Sequence, residues 1–169
     1  MRLEGKSIVV TGASAGMGQA IVTRFVQEGA YVVAVARRKE RLEELAAELK
    51  DAPGKVIIYA GDVSNPAVCE GMIDLAVKEF GRLDVLVNNA GIMDDNTAVG
   101  DMSDEMMERM FKVNTYAPLY SMRKAIKVFL EQDDESGNII NVTSVGAVHQ
   151  TAGVAYCASK AAIASATKN

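Results

Sequence analysis

The stretch Lys6-Ser-Ile-Val-Val-Thr-Gly-Ala-Ser-Ala-Gly-Met-Gly18 decides the fold of this chain. Its first half is a short apolar run, which is typical of a strand buried on both faces of a sheet. Its second half places Gly12, Gly16 and Gly18 in a turn that leads into a helical segment. Glycines at such a turn let the backbone approach a pyrophosphate closely, and the helix N-terminus offers free N–H groups. The stretch therefore predicts a dinucleotide-binding β-α unit.

The rest of the chain continues the alternation of strand and helix. The predicted strands are Lys6–Thr11, Tyr31–Ala36, Lys55–Ala60, Asp84–Val87 and Asn138–Thr143. The predicted helices are Gly16–Glu28, Arg38–Lys50, a helix capped by Ser64 that ends at Phe80, a long helical stretch over Ser103–Leu130 interrupted near Pro118, and a last helix from Gly153. This alternation, with no linker or internal repeat, predicts one α/β domain over residues 1–169, with a parallel sheet and helices on both faces.

Composition and charge argue against several classes of protein. The net charge of −4 disfavours a nucleic-acid or anionic-membrane surface. No apolar run reaches the roughly 18 residues that span a bilayer, and the sequence begins without a signal-peptide pattern, so we expect a cytoplasmic protein. The single histidine, His149, and the two cysteines, Cys69 and Cys157, form no metal-binding pattern. We therefore predict reduced thiols and no metal site.

The segment Tyr156-Cys-Ala-Ser-Lys160 carries a tyrosine and a lysine four residues apart. Helical spacing places both side chains on one face. An ammonium group beside a phenol favours the phenolate, which makes Tyr156 a proton donor and acceptor usable near neutral pH. Ser144 follows the fifth predicted strand, where its hydroxyl can polarise the same substrate oxygen. These residues predict an acid–base group in the cleft that binds the dinucleotide.

The ordered set of motifs resembles the short-chain dehydrogenase/reductase family, classical type. The set consists of Thr11-Gly-x-x-x-Gly-x-Gly18, Asn88-Asn-Ala-Gly91, Asn114, Ser144 and Tyr156-x-x-x-Lys160. The resemblance implies a Rossmann-like doubly wound parallel sheet with strand order 3-2-1-4-5. It also implies hydride transfer between NAD(P)(H) and a small-molecule carbonyl or secondary alcohol, in an enzyme that forms homodimers or homotetramers at full length.

The end of the second strand predicts which nicotinamide cofactor binds. NAD-binding sites usually place an acidic residue there, whereas this chain has Ala36 followed by Arg37 and Arg38. Alanine does not repel a 2′-phosphate, and Arg37 can bind one through charge-assisted hydrogen bonds. We therefore predict NADP(H), with Ser14 as a second phosphate contact. In the alternative, the arginines only begin a solvated helix and NAD binds as well.

The resemblance implies roles for further cofactor-binding residues. Asp62 contacts the adenine amino group, and the backbone of Val63 contacts the adenine ring. Asn88 either flanks the adenosine ribose or belongs, with Asn89, to a purely structural turn. The full implied set is Gly12, Ser14, Gly16, Met17, Gly18, Arg37, Arg38, Asp62, Val63, Asn88, Ala90, Gly91, Tyr156 and Lys160.

The resemblance implies four catalytic residues, which are Asn114, Ser144, Tyr156 and Lys160. Tyr156 exchanges the proton, Ser144 bonds the substrate oxygen, and Lys160 bonds the nicotinamide ribose. Asn114 holds a water that connects Lys160 to solvent. His149 and Met93 lie where the family lines its substrate pocket, but each is alternatively an exposed loop residue. The substrate itself stays open, with a 3-oxoacyl thioester as the first guess.

Members of this family continue past position 169, so the resemblance leads us to expect a chain that is incomplete at its C-terminus. Two interpretations follow. In the first, the chain is part of an NADP-dependent carbonyl reductase. In the second, it is a non-catalytic dinucleotide-binding or assembly module. The presence of every catalytic position favours the first.

Overall fold

A computed structural model describes residues 1–149 and 151–168. The strands are β1 (Ser7–Thr11), β2 (Tyr31–Ala36), β3 (Lys55–Ala60), β4 (Val85–Asn88) and β5 (Asn138–Asn141). They form one parallel sheet in the order β3-β2-β1-β4-β5. The predicted Rossmann-like fold class and its strand order are therefore confirmed.

Helices connect the strands and cover both faces of the sheet. Among the described residues they are α1 (Gly16–Gln27), α2 (Lys39–Glu48), α3 (Pro66–Phe80), α4 (Asp104–Phe111), α5 (Ala117–Glu131) and α6 (Val154–Ala166). The cap of α3 is Asn65 rather than the expected Ser64, because the Asn65 side chain accepts a hydrogen bond from the Ala67 N–H. Pro66 then occupies the first helical position, where its missing N–H is tolerated.

A π-helical turn at Lys112–Tyr116 separates α4 from α5. The sequence predicted one long helical stretch with an interruption near Pro118, and the break begins before the proline. Pro118 explains this position, since it has no N–H to donate to the carbonyl of Asn114, four residues earlier. The proline therefore alters the turn that precedes it.

The sheet separates two hydrophobic cores. All five residues of β1, the central strand, are buried. Side chains alternate across a strand, so Val9 packs with α3 and α5 on one face, while Ile8 and Val10 pack with α1 and α2 on the other. The continuous apolar run in the sequence thus follows from burial on both faces.

Asp84 holds the amino edge of the sheet, directly before β4. Its carboxylate is 6% exposed and accepts hydrogen bonds from the Ser7 backbone N–H at 2.9 Å and from Lys6 Nζ at 3.0 Å. Arg82 Nε lies 3.1 Å from the same carboxylate. Since Ser7 is the first residue of β1, this carboxylate fixes the start of β1 against β4.

Replacing Asp84 with alanine is expected to lower the free energy of unfolding by about 1–3 kcal/mol, because the buried Ser7 N–H loses its acceptor. Thermal denaturation followed by circular dichroism measures the change. Asp134→Ala is the matched control, since it removes an exposed acid that pairs with Arg82 and should change the melting temperature little. Equal destabilisation by both variants would contradict the role assigned to Asp84.

Candidate functional site

A cavity of about 610 Å³ lies at the carboxyl ends of the strands. Its walls come from the turn after β1, the ends of β2 and β3, the segment after β4, and one face of α4. In open parallel sheets this edge is where ligands bind, at the point where the strand order reverses. The predicted residues that line the cavity are Gly12, Ser14, Arg37, Arg38, Asp62, Val63, Ala90 and Gly91.

The turn after β1 requires glycine at close contacts. A Cβ on Gly18 would lie 2.1 Å from the Gly12 carbonyl oxygen, and a Cβ on Gly12 would lie 2.9 Å from the Ala90 Cα. Gly12 and Gly16 also have φ angles of +70° and +56°, in the left-handed region that favours glycine. The turn therefore brings the start of α1, with its free N–H groups and positive dipole end, to the cavity. Met17 is exposed in the first turn of this helix.

Thr11 and Asn89 join this turn to the segment after β4. Thr11 Oγ1 accepts hydrogen bonds from the backbone N–H groups of Asn89 and Ala90, each at 3.0 Å. Asn89 Nδ2 donates to the Thr11 carbonyl at 2.9 Å. Asn88 instead donates from Nδ2 to Asn141 Oδ1 on β5 at 2.8 Å, and it is not among the residues that line the cavity. The role of Thr11 was not predicted from the sequence, although its place at the end of β1 could have indicated one.

A cationic wall lies at the end of β2. Arg38 Nη2 donates to Ser14 Oγ at 3.1 Å, which joins the residues after β2 to the turn after β1. Ala36 and Arg37 line the same wall. Two guanidinium groups and a hydroxyl, with alanine at the strand end, are a donor set suited to a phosphate group.

At the end of β3, Asp62 and Val63 also line the cavity. Asp62 Oδ1 accepts a hydrogen bond from the Ser64 backbone N–H at 2.9 Å, which fixes the carboxylate in a turn. Val63 is buried beside it. The two residues lie next to the cationic wall, and their contact with adenine stays a prediction.

One wall of the cavity, formed by α4, was not predicted from the sequence. It consists of Glu105, Glu108 and Arg109, and Lys112 extends it at the start of the π-helical turn. Lys112 Nζ lies 2.7 Å from Glu108, and this pairing lowers the pKa of Glu108 and raises the pKa of Lys112. The order of the elements contained a signal, because a helix that follows β4 begins near the carboxyl edge of the sheet.

The Lys160 ammonium lies beside Gly91, which lines the cavity. Its Nζ donates to the Val142 carbonyl at 2.9 Å and lies 3.2 Å from the position that a Cβ on Gly91 would take. Lys160 is 5% exposed. Burial lowers the pKa of the Lys160 ammonium, and within the described residues no charged partner offsets this effect.

Ser144 follows β5 by three residues, and Tyr156 lies in the first turn of α6. Ser144 Oγ accepts a hydrogen bond from the Gly146 N–H at 3.0 Å, which leaves its own O–H free to donate. A Cβ on Gly146 would lie 3.4 Å from Ser144 Oγ and 3.2 Å from Cys157 Sγ, so Ser144 lies beside the first turn of α6. Tyr156 is half-buried, and its backbone rather than its hydroxyl makes the hydrogen bonds described for it.

Asn114 lies in the π-helical turn and is 1% exposed. Its Oδ1 accepts from the Ile92 N–H at 2.9 Å, and its Nδ2 donates to the Ile92 carbonyl at 2.8 Å and to Ser159 Oγ at 3.1 Å. The side chain therefore joins the segment after β4 to α6. The backbone carbonyl of Asn114 receives no hydrogen bond from Pro118, which has no N–H. The π-helical turn that contains Asn114 is of a kind that is frequent at functional sites.

The described residues contain no cluster of histidine, cysteine, aspartate or glutamate that could hold a metal ion. Cys69 is a buried free thiol whose pKa is raised by burial, and Cys157 is a half-buried free thiol. His149 and Met93 are both exposed. In the part of the chain that the structure describes, no helix is long and apolar enough to cross a membrane.

Comparison with known sequences gives a consistent result. The family described as short chain dehydrogenase matches residues 6–169. The chain is 42% identical over 168 residues to 3beta-hydroxysteroid dehydrogenase 2 of Eggerthella lenta, an alignment that covers 99% of this chain and 64% of that protein. It is 37% identical over 169 residues to the 3-oxoacyl-(acyl-carrier-protein) reductase of Thermotoga maritima, with 99% and 68% covered. The chain thus spans about two thirds of the length of these relatives.

Solved structures agree with the sequence comparison. A short chain dehydrogenase from Mycobacterium smegmatis superposes with a TM-score of 0.92 at 34% identity, covering 98% of this chain and 70% of that one. A short chain dehydrogenase from Burkholderia cenocepacia in complex with NADP superposes with a TM-score of 0.90 at 30% identity, covering 99% and 68%.

Replacing Lys160 with methionine is expected to stabilise the ligand-free chain. Burial of an unpaired ammonium destabilises the fold, and an apolar side chain of similar length removes that penalty. We expect the free energy of unfolding at pH 7 to rise by about 1–2 kcal/mol, as measured by urea denaturation.

The pH dependence of this difference has a defined sign. Because the pKa of Lys160 is lowered in the folded state, the unfolded chain binds more protons between that value and the ordinary 10.5. The wild type therefore gains stability as pH rises through this window, and the advantage of Lys160→Met shrinks. Lys124→Met is the control, because Lys124 pairs with Asp74 and its pKa is raised. Destabilisation by Lys160→Met at pH 7 would contradict the interpretation.

Proposed function

The chain belongs to the short-chain dehydrogenase family, and we propose that it transfers a hydride between NADP(H) and a carbonyl or secondary alcohol. The observation that carries this proposal is the position of the Lys160 ammonium. It is buried without a carboxylate partner among the described residues, one helical turn from Tyr156 and against Gly91 of the cavity wall. An ammonium held there strengthens the acid–base capacity of the neighbouring phenol.

The cavity fits a dinucleotide. Gly12, Gly16, Met17 and Gly18 would hold the pyrophosphate with backbone N–H groups at the start of α1. Arg37, Arg38 and Ser14 would bind a 2′-phosphate, and Asp62 and Val63 would contact the adenine. Ala90 and Gly91 would lie beside the ribose, while Asn88 would support this segment through its bond to Asn141. When bound, the nicotinamide supplies or accepts the hydride.

Tyr156 moves the proton at the substrate oxygen. In reduction its hydroxyl donates to the oxygen on which negative charge develops, and in oxidation its oxygen takes the proton back. Ser144 donates its unused O–H to the same oxygen and stabilises the developing charge. Lys160 acts on Tyr156 in surroundings of low dielectric, where its charge has a stronger effect than in water.

Asn114 would contribute to proton transfer through its backbone and not through its side chain. Its side chain is occupied by Ile92 and Ser159, so its contribution to proton transfer comes from the backbone carbonyl. Pro118 leaves that carbonyl without its usual helical donor. We assign to it a water that connects Lys160 to solvent.

The alternative function is a non-catalytic dinucleotide-binding or assembly module. This alternative is considered because the chain spans only about two thirds of the length of its relatives. The burial of Lys160 favours the enzyme over the non-catalytic module. A protein that only binds a dinucleotide gains no stability from a buried ammonium without a partner. For self-association as a homodimer or homotetramer, the support is the exposed apolar side chains of Leu119, Ile126 and Leu130 on α5.

The relatives suggest which substrates to assay first. One similar protein is named for a 3beta-hydroxysteroid and another for a 3-oxoacyl group on acyl carrier protein. We therefore propose a 3-oxosteroid and a 3-oxoacyl thioester as the first two ketone substrates, with NADPH as the reductant.

Tyr156→Phe removes the proton donor and keeps the ring. We expect kcat for ketone reduction to fall by about 10²–10⁴-fold, measured by the consumption of NADPH. The Kd for NADPH, from a fluorescence titration, should change less than about twofold, because no phosphate contact is lost. Tyr120→Phe is the control, since Tyr120 is a half-buried tyrosine on α5. Near-normal turnover by Tyr156→Phe would refute the proton-donor role.

Arg38→Ala tests the choice of cofactor. Loss of a charge-assisted hydrogen bond to the 2′-phosphate should weaken NADPH binding by about 10- to 100-fold and leave NADH binding little changed. Arg37→Ala should act in the same direction. Lys39→Ala is the control, because it removes an equal charge whose partner is Glu43 on the surface of α2. Equal losses of NADPH and NADH affinity would contradict 2′-phosphate recognition.

A further inference from the structure

The helix that carries the proposed proton donor has no cap of its own. Its N-cap residue is Gly153, which has no side chain to accept a hydrogen bond. The first N–H groups of a helix lack partners within the helix, so an acceptor has to come from elsewhere. In α6 these N–H groups include that of Tyr156, the third helical residue.

Asp94 supplies this acceptor from the segment after β4. Its Oδ2 accepts a hydrogen bond from the Tyr156 N–H at 3.0 Å, across 62 positions in the sequence. The third N–H of a helix is a usual target of an N-cap side chain, and a carboxylate is favoured at the positive end of the helix dipole. Asp94 is 6% exposed, so little water competes for this contact.

Gly153 makes room for the Asp94 carboxylate. A Cβ at position 153 would lie 2.1 Å from Oδ1 and 2.3 Å from Oδ2 of Asp94. Oδ1 is buried and has no hydrogen-bond partner among the described residues, which destabilises the fold. A serine at the N-cap would cap α6 without this penalty. Unlike a serine at the N-cap, Asp94 also ties α6 to the segment that forms a wall of the cavity.

The backbone of Tyr156 is held on both sides by a closed ring of contacts. Its carbonyl accepts from Ser159 Oγ at 2.8 Å, and Ser159 Oγ accepts from Asn114 Nδ2 at 3.1 Å. Asn114 bonds both backbone groups of Ile92, two positions before Asp94. Asp94 closes the ring at the Tyr156 N–H. Both main-chain groups of Tyr156 are therefore tied to the segment after β4, one of them directly through Asp94.

We infer that Asp94 is a positioning residue that holds Tyr156 in register with the cavity wall, an inference that rests on the proposed function. The contact fixes the first turn of α6 relative to the segment that contains Gly91 and Ile92. Without it the Tyr156 hydroxyl shifts from the substrate oxygen, while Arg38 and the turn after β1 still bind the dinucleotide. Loss of Asp94 therefore lowers kcat and leaves cofactor affinity unchanged.

The test compares Asp94→Ala with Asp94→Asn in the full chain. Asp94→Ala should speed hydrogen exchange of the Tyr156 amide about tenfold and lower kcat about tenfold or more, while the Kd for NADPH changes less than about twofold. Asp94→Asn keeps an acceptor oxygen and should restore most of both losses. Asp95→Ala is the matched control, because it removes the adjacent, exposed acid, which accepts from Thr97. An unchanged kcat in Asp94→Ala would overturn the inference.

A second pair of variants separates positioning from capping. Gly153→Ala should reproduce the effects of Asp94→Ala by displacing the carboxylate, which keeps the test available if Asp94→Ala fails to fold. In the double variant Asp94→Ala/Gly153→Ser, the serine can cap α6 locally. It should restore protection of the Tyr156 amide but not kcat. Recovery of kcat in the double variant would show that a local cap suffices, and would overturn the positioning role.

The design also distinguishes this inference from the proposed function. If the wild type reduces neither ketone with NADPH, the proposed function fails. The rate of hydrogen exchange at the Tyr156 amide then still shows whether Asp94 holds the start of α6. Slower exchange in the wild type than in Asp94→Ala supports the contact, and equal exchange overturns it.

Discussion

The close contact between the turn after β1 and the segment after β4 is the constraint on which the site depends. Thr11 and Asn89 bond the two segments together, and a Cβ on Gly12 or Gly18 would overlap backbone or the Asn89 side chain. Because β1 and β4 are central neighbours in the sheet, this contact fixes the edge from which the cavity opens. The N–H groups at the start of α1 and the wall beside Lys160 then lie at fixed distances from each other.

A second constraint arises from Pro118 and Asn114. The proline prevents a regular helix across the site, and the π-helical turn that results buries the Asn114 side chain between Ile92 and Ser159. The side chain is thereby used for structure, and the proposed function assigns the chemistry of Asn114 to its backbone carbonyl. A sequence motif identifies the residue but does not reveal which of its groups acts, because that depends on the helix geometry around it.

The sequence predicted the sheet well for a physical reason. Central parallel strands are buried on both faces, so β1 and β2 appear as continuous apolar runs that local composition reveals. The glycine turn was recognisable because its spacing reflects close backbone contacts. Asp94 was not recognisable, because an aspartate in a polar loop is usually solvated, and its partner lies 62 positions away. The α3 cap was assigned to Ser64 instead of Asn65 because both are good cap residues and only the backbone decides between them.

The site retains two groups that destabilise the fold, and their separation has a physical rationale. Lys160 is an ammonium without a carboxylate partner, and Asp94 is a carboxylate with one unpaired oxygen. A direct ion pair between them would relieve both penalties, but it would also draw the Asp94 carboxylate away from the start of α6. In the structure, Asp94 bonds the Tyr156 backbone and Lys160 bonds the Val142 carbonyl. The two charges therefore keep separate partners. The Asp94 carboxylate bonds the main chain of Tyr156 at the start of α6, and the Lys160 ammonium lies one helical turn further along the same helix.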